Sequence, residues 1–250
     1  MTQPPYCQPP PDRLALLKKL WRTYGFSVLY IVLARLGAYG RCLFILPRKT
    51  FRLDEKDYQY GVYLRNAAFR NERVVEIPLA LQFFPWQGRT VLEVGNVLSQ
   101  YHPSSHTVID KYEKSERVLN IDVVNYNPGL KYDLIVSIST LEHVGWDEHP
   151  RDPEKVIRAI RHLKNLLTPE GHMLITVPLG YNAALDTCLQ NNAAGFSRIF
   201  YMKRISRMNE WVQTSWQDAS RQKFGTIYPC ANALAIGIVD HEMPNESHRP

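Results

Sequence analysis

Five short apolar runs follow one another between residues 91 and 177: Val91–Gly95, Thr107–Asp110, Val118–Asp122, Tyr132–Ile138 and His172–Val177. Each ends near a polar, glycine or proline residue, and runs that are apolar throughout, rather than alternating, predict strands buried on both faces. Between the last two, Asp152 caps a helix, Pro153 takes its first turn, Val156, Ile160, Leu163 and Leu167 form its apolar stripe, and Thr168–Gly171 stops it. This is a strand, helix, strand crossover, which requires parallel neighbours. Phe196–Ile205 and Ala233–Val239 predict two further strands, with a helix over Asn209–Ala219 between them. The expected class is α/β with a doubly wound, Rossmann-like sheet.

The segment before these strands differs in charge. Residues 1–50 hold eight Lys and Arg against Asp12 alone, a net +7, whereas the other 200 residues hold 22 basic and 23 acidic groups, a net −1. A near-neutral body with a basic end argues against a protein that grips nucleic acid over its whole face. Leu14, Leu17, Trp21, Tyr24 and Val28 recur at helical steps with Lys18, Lys19 and Arg22 on the flank, which predicts a basic amphipathic helix. The longest uncharged run, Thr23–Ala34, is too short to span a bilayer. Two fates stay open for residues 13–46: peripheral contact with an anionic membrane at its inner face, or packing on the body or on a second subunit in a homodimer. Four scattered cysteines without a C-x-x-C pair, and no signal peptide, point to the reduced cytoplasm. The expected organisation is a Pro-rich disordered tail over 1–12, a basic helical extension over 13–87, a catalytic domain over 88–241 and a disordered tail over 242–250.

Ligands of an open doubly wound sheet bind outside the carboxyl ends of its strands. Acids stand there: Glu93 in the first run, Asp110 ending the second and Asp122 ending the third. Three carboxylates at successive strand ends suit a ligand that offers an amine, a ribose diol and an exocyclic adenine amine, and they suit a pyrophosphate badly. A nicotinamide dinucleotide is further disfavoured because G-x-G-x-x-G is absent.

Over residues 88–241 the chain resembles the class I S-adenosylmethionine-dependent methyltransferases, of the type 11-like kind. Val91–Gly95 is similar to their first motif. Tyr132–Ser137 followed by Leu141–Val144 is similar to their fourth strand and its loop, and Leu167–Gly171 with Ile175–Pro178 to their helix-to-fifth-strand signature. The resemblance implies a mostly parallel sheet with an antiparallel last strand and S-adenosylmethionine as cofactor. Glu93, Gly95 and Asn96 would border its methionine end, Asp110 its ribose, with Glu113 as substitute, and Asp122 with Val123 its adenine; Ser139 would complete the set. The chain departs from the family in the glycine-rich loop, where Val97 and Ser99 replace later glycines. Asn96, tolerant of left-handed geometry, is the expected rescue. The rival that this departure supports is a noncatalytic methyltransferase-like binding module.

The densest polar cluster, Ser139–His149, lies beside the expected methyl group. His143 is the expected general base for an acceptor hydroxyl, with Glu142 beside it. Some O-methyltransferases hold a divalent cation through a similar Glu-His pair, but the upstream acid of that pattern is replaced by Ser139, so no metal is expected. His102 and His106 read as solvated loop residues. Segments around Asn71–Arg73, Gly180–Asn182 and Tyr228–Asn232 would surround the acceptor. The expected activity is O-methylation of a small-molecule, sugar or lipid-linked glycan acceptor.

Overall fold

The computed structural model describes residues 18, 21, 22, 27–102, 105–225 and 230–240. Helix α1 (Ser27–Phe44) leads into an antiparallel hairpin, β1 (Thr50–Leu53) and β2 (Lys56–Gln59), followed by α2 (Arg73–Gln82). The main sheet then forms from β3 (Val91–Val94), β4 (Thr107–Ile109), β5 (Tyr132–Ile138), β6 (Leu167–Pro178), β7 (Arg198–Arg204), β8 (Trp211–Thr214) and β9 (Ala233–Val239). Three helices interrupt it: α3 (Lys155–Asn165), α4 (Ala183–Gln190) and α5 (Trp216–Ala219). The spatial order is β4-β3-β5-β6-β9-β7-β8. The strands β4, β3, β5 and β6 are mutually parallel, and β9 is antiparallel to both β6 and β7, as the family resemblance implies for the last strand. The chain leaves β3 toward β4 and returns on its other side to β5, so the topological switch point lies at β3.

Period-two alternation sends side chains of each central strand into two apolar layers. Ile135, Met173, Ile175, Val177 and Ala235 enter the layer covered by α3 and α4, with Val156, Ile160 and Leu163 of α3 fully buried there. Leu134, Val136, Leu174, Leu234 and Ile236 enter the other, together with Phe51, Leu53 and Tyr58 of the hairpin and Val74, Val75 and Ile77 of α2. The stretch expected as a helical extension therefore contributes a β-hairpin and half of a core layer. Tyr60 locks it on: its hydroxyl accepts from the Trp211 N–H at 2.7 Å and donates to the Trp211 carbonyl at 3.2 Å.

Several elements differ from expectation. Val118–Asp122 is not a strand but forms a single parallel bridge, Ile109 to Leu119, because Leu119 is exposed at the sheet edge and Asp122 instead caps the single turn Val123–Asn125. Asp152 does not cap α3, whose first residue is Lys155; it accepts from Arg158, and Glu154 stands at the cap position. Thr168–Gly171, expected to stop that helix, belongs to β6, and so does Leu167. Asn209–Ala219 is not one helix: Trp211–Thr214 pairs with β7, and Ser215 then caps the short α5. Trp211 decides this, since burying its ring fixes an alternating strand register in place of a helical stripe. The helix expected over Leu14–Val28, both tails, and Tyr228–Pro229 lie wholly or largely outside the described residues; Lys18, Trp21 and Arg22 are described as helical and exposed.

Candidate active site

A cavity of about 440 Å³ opens at the carboxyl ends of β3, β4 and β5. Of the residues singled out in the sequence, Gly95, Asn96, Asp110, Asp122, Val123, Ser139 and His143 line it; Glu93 and Glu142 do not. Glu113, the substitute for Asp110, is also a lining residue.

The turn after β3 shows why. Gly95 has φ +85°, and a Cβ there would collide with the Thr140 side chain, so this residue has to be glycine. Gly95 itself supplies the left-handed geometry; Asn96 does not. The Glu93 carboxylate, buried beneath the turn, accepts from the N–H groups of Val97 at 2.8 Å, Leu98 at 2.5 Å and Ser99 at 3.1 Å. It is held in turn by His106 Nε2 at 2.6 Å. His106 is therefore a buried partner of Glu93 and not a solvated loop residue, while His102 is exposed as expected. Asn96 Nδ2 donates to Glu113 at 2.5 Å, and its Oδ1 accepts from the Ser99 hydroxyl. Side-chain hydrogen bonds thus shape the loop that lacks the later glycines.

Asp110 stands just past β4. Its Oδ1 accepts from the Tyr112 and Glu113 N–H groups, both at 2.8 Å, and no described residue donates to Oδ2. Asp122 is differently placed: Oδ1 accepts from the Val124 N–H, and Oδ2 lies 2.5 Å from Lys155 Nζ and 2.9 Å from Lys111 Nζ. The same two lysines reach Glu148, at 2.6 Å and 2.9 Å. Partial burial pushes both acids upward, but the lysine hydrogen bonds outweigh it and hold both below the usual carboxylate range. Within this cluster two cations meet two anions, while Asp110 and Glu113 line the same cavity as further acids.

Past β5 the chain turns sharply at Ser139, which has φ +38°. Its hydroxyl is directed away from the cavity, donating to Glu76 Oε1 at 2.6 Å, where Thr176 donates at 2.7 Å. Arg73 donates to the other oxygen of Glu76. Glu142 belongs to this buried layer, and its Oε2 has no hydrogen-bond partner. Burial, with repulsion from Glu76 and Glu72 added, drives Glu142 well above the usual carboxylate range despite Arg73. Glu72 is raised by the same causes. His143 faces the cavity: Nδ1 is 2.5 Å from Asp147 Oδ2, which also accepts from the Tyr181 hydroxyl at 2.6 Å. Nε2 lies 3.7 Å from Glu142 Oε1. The Tyr181 ring stands edge-on to His143 and to Phe224, with centroids 4.8 Å and 5.2 Å away.

A family model described as a methyltransferase domain matches residues 67–224. The chain belongs to the class I S-adenosylmethionine-dependent methyltransferases. Solved methyltransferases that resemble this one include the N-methyltransferase NodS from Bradyrhizobium japonicum WM9 with bound S-adenosyl-L-homocysteine, 12% identical, covering 62% of this chain and 79% of its own, with a TM-score of 0.39. A methyltransferase from Thermotoga maritima, described as a possible histamine N-methyltransferase, is 12% identical over 66% of this chain and 88% of its own, with a TM-score of 0.41. One from Archaeoglobus fulgidus is 14% identical over 61% and 86%, with a TM-score of 0.39. No curated protein matches the sequence.

The methyltransferase cavity fits its cofactor by chemistry. A bound cofactor would find an acceptor for its ribose diol in Asp110, with Glu113 beside it, and apolar walls for its adenine in Ile109, Ile121, Val123 and Val144. When bound, S-adenosylmethionine supplies a methyl group already activated on sulfonium. Sequence reasoning missed Lys111 and Lys155, which neutralise Asp122 and Glu148 on the rim, and the Arg73, Glu76 and Thr176 layer, which only the tertiary fold assembles. Asp147 was also missed: it meets His143 across a non-helical turn, with Val144 extended, Gly145 at φ +72° and the Asp147 N–H donating to the His143 carbonyl.

Proposed function

We propose that this methyltransferase acts on a hydroxyl oxygen of a small-molecule, sugar or lipid-linked glycan acceptor, with His143 as general base. The observation that carries the reading is the contact between His143 Nδ1 and Asp147. A carboxylate there favours the tautomer with its proton on Nδ1, which makes Nε2 the basic nitrogen of the neutral ring. Tyr181 fixes Asp147 from the other side, so the imidazole is oriented before an acceptor arrives. Displacement at sulfonium is governed by alignment, and the protein's remaining tasks are to place the acceptor oxygen and remove its proton. The aromatic border formed by Tyr181 and Phe224 suits the C–H face of a sugar-like ring.

Extracts of glycans and lipids incubated with methyl-labelled cofactor should yield a labelled methyl ether. Replacing His143 with Ala should lower turnover by about 10² to 10⁴ while cofactor affinity stays near that of the wild type. A label found on nitrogen, or near-normal turnover by the variant, contradicts the reading.

A further inference from the structure

The outer face of α1 is apolar, and no described residue covers it. Leu33, Leu36 and Phe44 lie at helical spacing with Gly37 and Gly40, so they share one stripe. Leu33 and Leu36 are 57% and 58% exposed, Phe44 is 72% exposed, and a Cβ on either glycine would meet nothing within 4 Å. The opposite face holds the helix to the body: Cys42 is buried, and Tyr39 stands edge-on to Phe69. The stripe is therefore not a core face that has lost its cover.

The charge near it is positive. Arg41 flanks the stripe on α1, and Arg41, Arg48 just beyond the helix, and Lys18 and Arg22 earlier in the chain are all exposed. Against the eight basic residues in 1–50 stands one acid, Asp12. No helix among the described residues is long and apolar enough to cross a membrane, so burial of this face in a bilayer would be interfacial.

We propose that this face of α1 docks on an anionic lipid bilayer, with Leu33, Leu36 and Phe44 entering the acyl boundary and the arginines meeting lipid headgroups. Charge decides between occupants. A second copy would bring one segment of net charge +7 against another, whereas anionic lipid complements it, and each interfacial cation is worth about fivefold in partitioning. The proposal is independent of the acceptor.

Flotation of the full chain with phosphatidylcholine vesicles, and with vesicles that also contain phosphatidylserine, tests it. The protein should float with the anionic vesicles, and raised salt should release it. Leu36→Glu with Phe44→Glu, and separately Arg41→Glu with Arg48→Glu, should each weaken partitioning by about tenfold or more while the melting temperature is kept, because these side chains are exposed. Equal recovery with both vesicle types would overturn the proposal. So would a dimer in sedimentation that the Phe44 change converts to monomer without altering flotation.

Discussion

Two sets of carboxylates lie on either side of the loop from Ser139 to His143, and they are held in opposite ways. On the cofactor rim, Asp122 and Glu148 meet Lys111 and Lys155 one for one, and both acids are held ionised. In the layer beneath, Glu72, Glu76 and Glu142 share Arg73 as their one cation among the described residues, and burial raises Glu72 and Glu142. The residue type is the same, and the balance between desolvation and available cations differs. A compensated, half-open rim can receive a charged, hydrogen-bonding ligand without rearranging its own charges. The under-compensated layer fixes the loop: the Ser139 hydroxyl and the Thr176 hydroxyl converge on one oxygen of Glu76, and this sets the path that brings His143 to the cavity.

The largest expected effect comes from the layer. Glu76→Gln removes the charge closest to Arg73 among the described residues, leaving Glu72 at 3.9 Å, and should cost about 3 to 5 kcal/mol of stability, as for a broken buried pair. Glu142→Gln should cost below about 1 kcal/mol, because a neutral amide replaces a carboxyl whose charged form burial already disfavours. Denaturant melts of the two variants measure the contrast, and equal losses would break the distinction between the two glutamates. On the rim, Lys155→Met should cost about 2 kcal/mol, since the buried ammonium serves both Asp122 and Glu148. A loss as large as that of Glu76→Gln would show that the rim is not compensated by its second lysine.

The smallest effect is read through pH. Burial raises Asp186 from 3.8 to about 6, with the Gly180 N–H opposing, so the folded state binds an extra proton between those values. Its contribution to stability is fully present below the ordinary carboxylate value and is lost as pH rises through about 6. Asp186→Asn should remove that decline, worth about 1 kcal/mol after allowance for partial exposure. Urea midpoints across this window check it, and an unchanged slope would discount the group.

The central sheet was legible because strands buried on both faces leave continuous apolar runs, and β3, β5 and β9 stand within a residue of where those runs lie. Edges and junctions were less legible. Residues 118–122 carry a strand-like run but lie outside β4 with nothing beyond to pair with, and only one bridge forms. Trp211 reads equally as a helical or a strand residue until the contact with Tyr60 selects the strand. In the site, Asp110 and Asp122 were placed at the cavity by their positions at strand ends, and Gly95, Val123 and His143 by the family resemblance. Glu93 was read as a ligand group although its carboxylate builds the turn, a distinction that depends on which way a side chain points at the end of a buried strand. Ser139 lines the cavity with its backbone turn while its hydroxyl bonds to Glu76, 63 residues away in sequence, which no local pattern encodes.

The central claim is that the compensated rim receives the cofactor, with Asp110 holding the ribose. Calorimetric titration of the full chain with S-adenosyl-L-homocysteine measures it most directly. Wild type should bind one equivalent, and Asp110→Ala should weaken binding by about 1 to 3 kcal/mol while leaving the melting temperature unchanged. No heat of binding by the wild type, or equal affinity in the variant, would contradict the account.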